Sequence, residues 1–195
     1  MLRRGRLHLV AALALLAVSC GPRGPRGRTD SDADPAPSSS LYAIDAKLAQ
    51  GDLAGAEAAA HALAAAWPSS TRARRSLQDV LRRQMSPRDW RARYEEAVRE
   101  RPEDPLAWYL LGRTRIDEPA QAREALERAL ALDPSAVWPV VGLAYLEQSE
   151  GDLFRAVETY EGALGRSPRS RTLRLMLGTL YLELQLYVDA QRHLE

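Results

Sequence analysis

Four prolines recur along the chain at a nearly constant interval. Pro68, Pro102, Pro134 and Pro168 are separated by 34, 32 and 34 residues. A period of this size is typical of a stack of similar units, each of which buries its apolar face against its neighbours. Stacks of this kind usually present a long binding surface, so the spacing predicts a solenoid and favours binding over catalysis.

The residues before each proline follow a helical pattern. Ala122, Leu126 and Ala129 precede Pro134 at intervals of four and three residues, which places all three on one helix face. The proline then ends the helix, because it has no N–H and its ring blocks the preceding turn. Equivalent triplets precede the other three prolines: Ala156, Tyr160, Ala163; Trp90, Tyr94, Ala97; and Ala56, Ala60, Leu63.

An earlier helix precedes each of these helices and carries its own pattern. Trp108, Leu111 and Gly112 lie in one unit, and Leu177, Gly178 and Tyr181 lie at matching places in another. Together with the alanine triplets and the prolines, this resembles the tetratricopeptide repeat, whose pattern is W-x2-L-G-x2-Y, then A-x3-F, then P. Related helical solenoids such as the Sel1-like class remain an alternative. The resemblance implies an all-α, right-handed α-solenoid of helix-turn-helix units at 41–68, 69–102, 103–134, 135–168 and 169–195, the last incomplete.

Two units depart from the regular pattern. The unit that ends at Pro134 is two residues short, and we expect the shortening in the turn around 117–119. The second unit has Trp90 where a small residue is usual, so we expect its two helices to stand further apart.

The first forty residues differ in composition from the rest. A basic head with Arg3, Arg4 and Arg6 precedes an apolar run of about a dozen residues, which is short for a membrane span. The sequence Ala-Val-Ser-Cys that ends at Cys20 resembles the lipobox of a bacterial lipoprotein signal peptide. The resemblance implies removal of residues 1–19 and acylation of Cys20, the only cysteine of the chain, by diacylglycerol and a further fatty acid such as palmitate.

The segment 20–40 has almost no apolar residues after Cys20, so it predicts a disordered tether between lipid and repeats. Gly21 stands where aspartate retains lipoproteins of enteric-type bacteria at the inner membrane. By that analogy we expect anchoring in the outer membrane, facing the periplasm.

The resemblance also implies where a ligand binds. In tetratricopeptide repeat proteins the first helix of each unit lines the concave face, and positions 2, 5, 9, 12 and 13 point into the groove. A basic end followed by an aromatic middle favours a partner peptide with an acidic end and an apolar centre. The alternative that Tyr109 and Trp138 only pack against neighbouring helices remains open. The predicted groove residues are Arg72, Arg75, Arg82, Arg83, Tyr109, Arg113, Trp138, Val141, Tyr145 and Thr179.

Charge and motif content argue against several function classes. Without residues 1–19 the chain has 24 basic and 26 acidic residues, a balance that predicts no affinity for nucleic acid. Residues 71–102 nevertheless have a net charge of +5 and residues 103–168 one of −6, an asymmetry that can steer a charged partner. No nucleophile, base and oxyanion donor come together in any recognisable motif, and His61 and His193 lie about four repeats apart. We therefore expect no enzyme, cofactor, metal site or small-molecule substrate.

These observations predict a lipid-anchored adaptor of the bacterial envelope that binds a protein or peptide partner. Tetratricopeptide repeat lipoproteins of this kind assist pilus secretin assembly, outer-membrane protein insertion or peptidoglycan enzymes, and any such role here is an analogy. Two alternatives remain: an accessory subunit that binds glycan or another polyanion for an envelope enzyme, and the N-terminal part of a longer multidomain protein.

Overall fold

A computed structural model describes residues 34–195, and this part of the chain is entirely helical. Its helices pair in chain order, and each packs mainly against the helix before it and the helix after it. The all-α solenoid predicted from the prolines is confirmed. The ten helices are α1 (Ser38–Ala49), α2 (Leu53–Ala66), α3 (Thr71–Arg82), α4 (Pro87–Glu100), α5 (Pro105–Thr114), α6 (Pro119–Leu132), α7 (Val137–Ser149), α8 (Leu153–Arg166), α9 (Arg171–Glu183) and α10 (Tyr187–Leu194).

The recurring prolines end the second helix of each unit, as predicted. Helices α2, α4, α6 and α8 each stop two residues before Pro68, Pro102, Pro134 and Pro168 respectively. Side chains cap the next helices: Ser70 accepts from the Ala73 N–H at 2.9 Å, and Ser170 accepts from the Leu173 N–H at 3.1 Å. These caps satisfy N–H groups that have no partner inside the helix, so α3 and α9 each begin at a defined residue.

Small residues bring paired helices close together. Ala122 and Ala156 are fully buried in the second helices of the third and fourth units. Gly112 of α5 lies against α6, where an added Cβ would meet the Leu126 side chain at 2.9 Å and the Ala122 carbonyl oxygen at 3.3 Å. The small residues that identified the repeats in the sequence are thus the ones that permit close packing.

The second unit is more open, as Trp90 predicted. Helices α3 and α4 approach each other much less closely than α5 and α6 do. Trp90 fills the space between them, with 9 % of its surface exposed and its ring edge-on to Tyr94. Its Nε1 donates to the Gln78 carbonyl oxygen at 3.4 Å, so the bulky indole is held to α3 by a hydrogen bond as well as by packing.

The third unit is shorter than the others because its first helix, and not the turn between its helices, has fewer residues. Helix α5 has 10 residues, whereas α7 and α9 have 13 each. The expected position of the shortening, around 117–119, was therefore slightly wrong. Arg91 of α4 forms ion pairs with Asp117 and Glu118 and so holds the connection that replaces the missing helical turn.

The solenoid begins earlier than residue 41. Ala36 is 3 % exposed within the core, and α1 starts at Ser38, so the last residues of the predicted tether belong to the folded unit. The Asp34 carboxylate attaches this segment to α3, because it accepts from the Arg72 N–H at 2.9 Å and from the Ser70 hydroxyl. The signal peptide, Cys20 and the tether up to residue 33 lie outside the described residues. No helix between residues 34 and 195 is both long enough and apolar enough to cross a bilayer.

Candidate binding groove

The first helices of successive units meet along one groove. The groove encloses about 660 Å³ and is lined by the N-terminal turns of α3, α5, α7 and α9. Three of the predicted groove residues lie there together: Arg72, Tyr109 and Trp138. The structure thus brings matching positions of different repeats to one surface, as the repeat pattern implied.

Arg75 packs against Trp138, one of the residues that line this groove. The guanidinium carbon of Arg75 lies 4.0 Å from the centre of the Trp138 ring, a cation–π contact that joins α3 to α7 across α5. Arg75 Nε is buried and has no hydrogen-bond partner among the described residues. Burial lowers the pKa of Arg75, and the nearby Arg113 adds to this effect, whereas Tyr109 and Asp79 oppose it.

Tyr109 belongs to the core more than to the open surface. Only 4 % of it is exposed, and burial is the main reason that its pKa is raised. The packing alternative therefore holds for the ring of Tyr109. Trp138 is half-buried and leaves part of its indole on the groove.

Arg113 is occupied by partners on the neighbouring helix. Its Nη1 donates to Gln78 Oε1 at 2.6 Å, and its Nη2 pairs with Asp79 Oδ1 at 2.8 Å. Gln78 is fully buried and also donates to the Leu110 carbonyl oxygen at 2.8 Å. Gln78 was not predicted as a functional residue from the sequence. It stands at the position that Gly112 occupies in the next unit, and a polar residue at this position was the signal that could have identified it.

Two of the arginines predicted to form a basic end of the groove contact other parts of the protein. Arg72 Nη2 donates to the Ser38 hydroxyl at 3.1 Å, and the Arg82 guanidinium lies 5.7 Å from the Trp90 ring centre. Arg83 is exposed and follows the last residue of α3. Arg72 and Arg82 therefore contact other parts of the protein, and Arg83 is exposed.

The fourth and fifth units present an open apolar stripe. Tyr145 is 56 % exposed on α7, and Leu175 and Leu182 are 52 % and 45 % exposed on α9. The two leucines stand at positions 5 and 12 of the fifth unit, which the repeat pattern assigns to the concave face. Val141 is half-buried behind this stripe. Thr179 donates its hydroxyl to the Leu175 carbonyl oxygen at 2.8 Å, so it offers mainly its methyl group to a partner.

The chemistry of this surface is that of recognition. It combines large apolar side chains, an aromatic ring and arginine, which are the residue types that dominate protein interfaces. Within residues 34–195 no cluster of histidine, cysteine or carboxylate side chains could hold a metal ion. The described surface can therefore bind an apolar segment and orient it by charge.

Comparison with known proteins supports the repeat assignment. Residues 141–191 match a tetratricopeptide repeat family model. No curated protein of similar sequence matches the chain.

Solved structures match over most of the chain. A crystal structure of MamA is 25 % identical, with 77 % of this chain and 90 % of that chain aligned and a TM-score of 0.51. A thermophilic tetratricopeptide repeat protein of Thermus thermophilus is 15 % identical, with 80 % and 87 % aligned and a TM-score of 0.56. PilF of Pseudomonas aeruginosa is 18 % identical, with 80 % and 72 % aligned and a TM-score of 0.53. The described part of the chain therefore has the fold of a solenoid of tetratricopeptide repeats, and residues 141–191 match the repeat family in sequence.

Proposed function

We propose that this protein is a lipid-anchored adaptor of the bacterial envelope that holds a partner peptide or helix against the first helices of its repeats. The observation that carries the proposal is the stripe of exposed Tyr145, Leu175 and Leu182 on the first helices of the fourth and fifth units. Such a stripe costs free energy in water unless a partner covers it, because exposed apolar area is unfavourable. A partner with an apolar centre fits this surface, and an acidic end fits the exposed Arg83 of the second unit.

A crosslinked capture from the native envelope tests the binding surface. The test variant combines Tyr145→Ser, Leu175→Ser and Leu182→Ser, all at exposed positions, so the fold should survive. The matched control is Phe154→Ser with Val188→Ser, since these residues are 69 % and 74 % exposed on second helices. A partner retained by the control and lost by the test variant supports the proposal. Equal capture by the wild-type protein, the test variant and the control variant would show that the partner does not bind this stripe.

The envelope location rests on the lipobox resemblance and needs a separate experiment. We expect an alkyne analogue of palmitate to label the wild-type chain in its host and to fail with Cys20→Ala. Fractionation should then find the wild-type protein with outer-membrane markers and the variant in the periplasm. If Cys20→Ala stays membrane-bound and labelled, the anchor is not at Cys20. Assisting assembly of an envelope complex, such as a pilus secretin or the outer-membrane machinery, is part of the same proposal.

The polyanion alternative predicts a different response to salt. A surface that binds glycan or another polyanion through arginines should lose most of its affinity as ionic strength rises, whereas an apolar surface should lose little. The internal contacts of Arg72, Arg75 and Arg113 speak against the polyanion alternative, because these guanidinium groups already have partners within the fold. Retained capture at high salt would agree with the adaptor, and loss of capture would favour the polyanion.

A further inference from the structure

The groove along the N-terminal turns of α3, α5, α7 and α9 is acidic. Its charged lining residues are three carboxylates and one guanidinium: Asp34, Asp104, Asp133 and Arg72. The Arg72 guanidinium donates to a hydroxyl of α1, at the end of the groove where the Arg72 backbone N–H donates to Asp34. Arg101 pairs with Asp104 at 3.3 Å, whereas Asp133 forms no ion pair with another described residue. The groove therefore favours a cationic ligand.

The same groove is lined by rings and prolines. Pro105, Leu106, Pro139 and the half-buried Trp138 contribute to its surface. Grooves of this composition suit segments in the polyproline II conformation, whose proline rings pack on aromatic side chains. That conformation has no internal hydrogen bonds, so a short segment can adopt it on a surface at little cost.

The chain itself contains a segment with both properties. Residues 21–28 read Gly-Pro-Arg-Gly-Pro-Arg-Gly-Arg and include no acidic residue. Polyproline II has three residues per turn, so this triplet would place Pro22 and Pro25 on one face and Arg23 and Arg26 on another. The two arginines would be about 9 Å apart along the axis. The segment can thus present a row of rings and a row of positive charges at the same time.

The segment is joined to the chain at the groove. Asp34 and Pro35 line the groove, so the residues that precede them leave from its wall. Arg26 lies eight residues before Asp34, a distance that spans about 26 Å of extended chain. Helix α3 packs on α5 and α5 on α7, and two such steps of about 8–10 Å bring the chain from Asp34 to Trp138. The segment is therefore long enough to reach the middle of the groove.

We propose that residues 21–28 dock in this groove of their own chain, with the prolines on Trp138 and Pro105 and the arginines on Asp104 and Asp133. Covalent attachment gives the segment an effective concentration on the order of millimolar, so weak contacts are enough to hold it. The docked segment is an autoinhibitory contact, because another ligand reaches Trp138 only after the segment leaves. The inference depends neither on the lipid anchor nor on the exposed stripe of the proposed function.

A spin label tests whether the segment lies in the groove. Cys20 is the only cysteine, so a nitroxide can be attached there in the full chain produced without acylation. In NMR spectra the label should broaden the amide signals of Leu106 and Ala136, which line the groove, more than that of Phe154. Phe154 is the reference because it is 69 % exposed on a second helix.

Charge reversal tests what holds the segment. Arg23→Glu with Arg26→Glu should abolish the preferential broadening, because attraction to the carboxylates becomes repulsion. Arg3→Glu with Arg4→Glu is the matched control, since it makes the same change in charge outside the triplets, and it should keep the broadening. All of these substitutions lie outside the helices, so circular dichroism and Tm should not change.

A free peptide tests the groove from the other side. Capped Gly-Pro-Arg-Gly-Pro-Arg-Gly-Arg should bind the Arg23→Glu, Arg26→Glu protein about tenfold more tightly than wild type, in which the tethered segment competes. Asp133→Asn, added to that protein, removes a charge but keeps an acceptor for Ser135, and it should weaken peptide binding about threefold. Glu158→Gln, at an exposed position of α8, should not weaken it.

Several results would overturn the inference. They include equal broadening of the groove and Phe154 signals, broadening that survives Arg23→Glu with Arg26→Glu, and equal peptide affinity in wild type and that variant. A mixture of isotope-labelled protein without nitroxide and unlabelled protein with nitroxide separates the remaining case. Broadening of the groove signals in the mixture as strong as within one molecule would mean that the segment binds a second copy instead.

Discussion

Gln78 donates its side-chain amide to the Leu110 carbonyl oxygen at 2.8 Å, which ties the first helices of the second and third units together. The same side chain accepts from Arg113 at 2.6 Å, and its backbone oxygen accepts from Trp90. The next unit has Gly112 at this register, and there close packing, instead of a hydrogen bond, holds neighbouring helices together. A fully buried glutamine is tolerated here because its amide donates to one neighbour and accepts from another.

Gln78→Ala should therefore destabilise the fold. The substitution leaves the Leu110 carbonyl oxygen and one Arg113 donor without their partner, a loss of about 1–3 kcal/mol in the free energy of unfolding. Urea unfolding followed by circular dichroism would measure it. Gln84→Ala is a suitable control, because Gln84 is exposed and the hydrogen bond from its side chain to the Leu53 carbonyl oxygen is long at 3.4 Å. Equal stability of wild type and Gln78→Ala would contradict the assigned role.

Two glycines in helices should respond in opposite directions to alanine. At Gly112 a Cβ would lie 2.9 Å from the Leu126 side chain, so Gly112→Ala should cost about 1–3 kcal/mol through overpacking. At Gly162 nothing lies within 4 Å of the added Cβ, so Gly162→Ala should stabilise by about 1 kcal/mol through helix propensity. Thermal unfolding of the two variants checks the sign of each change, and a gain in Tm for Gly112→Ala would refute the close packing of α5 on α6.

The turns of the first, fourth and fifth units use a left-handed residue. Gly51 and Gly151 have φ of +77° and +84°, and Gln185 has φ of +60° at the matching place in the fifth unit. Gln185→Gly should raise stability by about 1 kcal/mol, because a side chain is strained in this region. Gly151→Ala should lower it by a similar amount. The pair can be compared by Tm, and parallel shifts of the same sign would be inconsistent with this account.

A buried acidic side chain joins the two helices of the fourth unit to each other and to the third unit. Glu147 is 4 % exposed, and its Oε1 lies 3.6 Å from Arg123 and 3.4 Å from Arg155, while its Oε2 has no hydrogen-bond partner among the described residues. Arg123→Leu should destabilise by about 3 kcal/mol, because it weakens the compensation of a buried charge. Glu147→Leu should be neutral or stabilising, since desolvating the carboxylate offsets the ion pairs. Chemical unfolding gives the free energy of unfolding of both variants. A larger loss for Glu147→Leu than for Arg123→Leu would contradict this prediction.

Stability should fall at high pH because the pKa values of several buried tyrosines are raised, Tyr94 and Tyr160 among them. Burial raises the pKa of Tyr94 and of Tyr160 to about 12 from 10.0. The unfolded chain therefore loses these protons at lower pH than the folded protein does. The free energy of unfolding consequently falls as pH rises from about 10 to 12, and below pH 10 these tyrosines do not change it. For Tyr94 the full effect is on the order of 2 kcal/mol. Unfolding at pH 7 and pH 11 should show a smaller loss for Tyr94→Phe with Tyr160→Phe than for wild type.

The helices themselves could be predicted from local chemistry. Proline has no N–H, so the four recurring prolines placed the ends of α2, α4, α6 and α8. The alternation of small and large residues identified the packed faces, and Trp90 alone indicated that the second unit is open. These properties depend on single residues or on spacings within one helix, which is why the sequence by itself determined them.

The surfaces depended on contacts between residues far apart in the chain. Arg75 meets Trp138, which lies 63 positions further along the chain, and Asp34 caps the start of α3 by accepting from the Arg72 N–H, so neither contact is visible in a local pattern. Pairing also decided which arginines are available, since Arg113 is bound by Asp79 whereas Arg83 remains open. Only the tertiary structure decided these points, because burial and ion pairing are set by how neighbouring units stack.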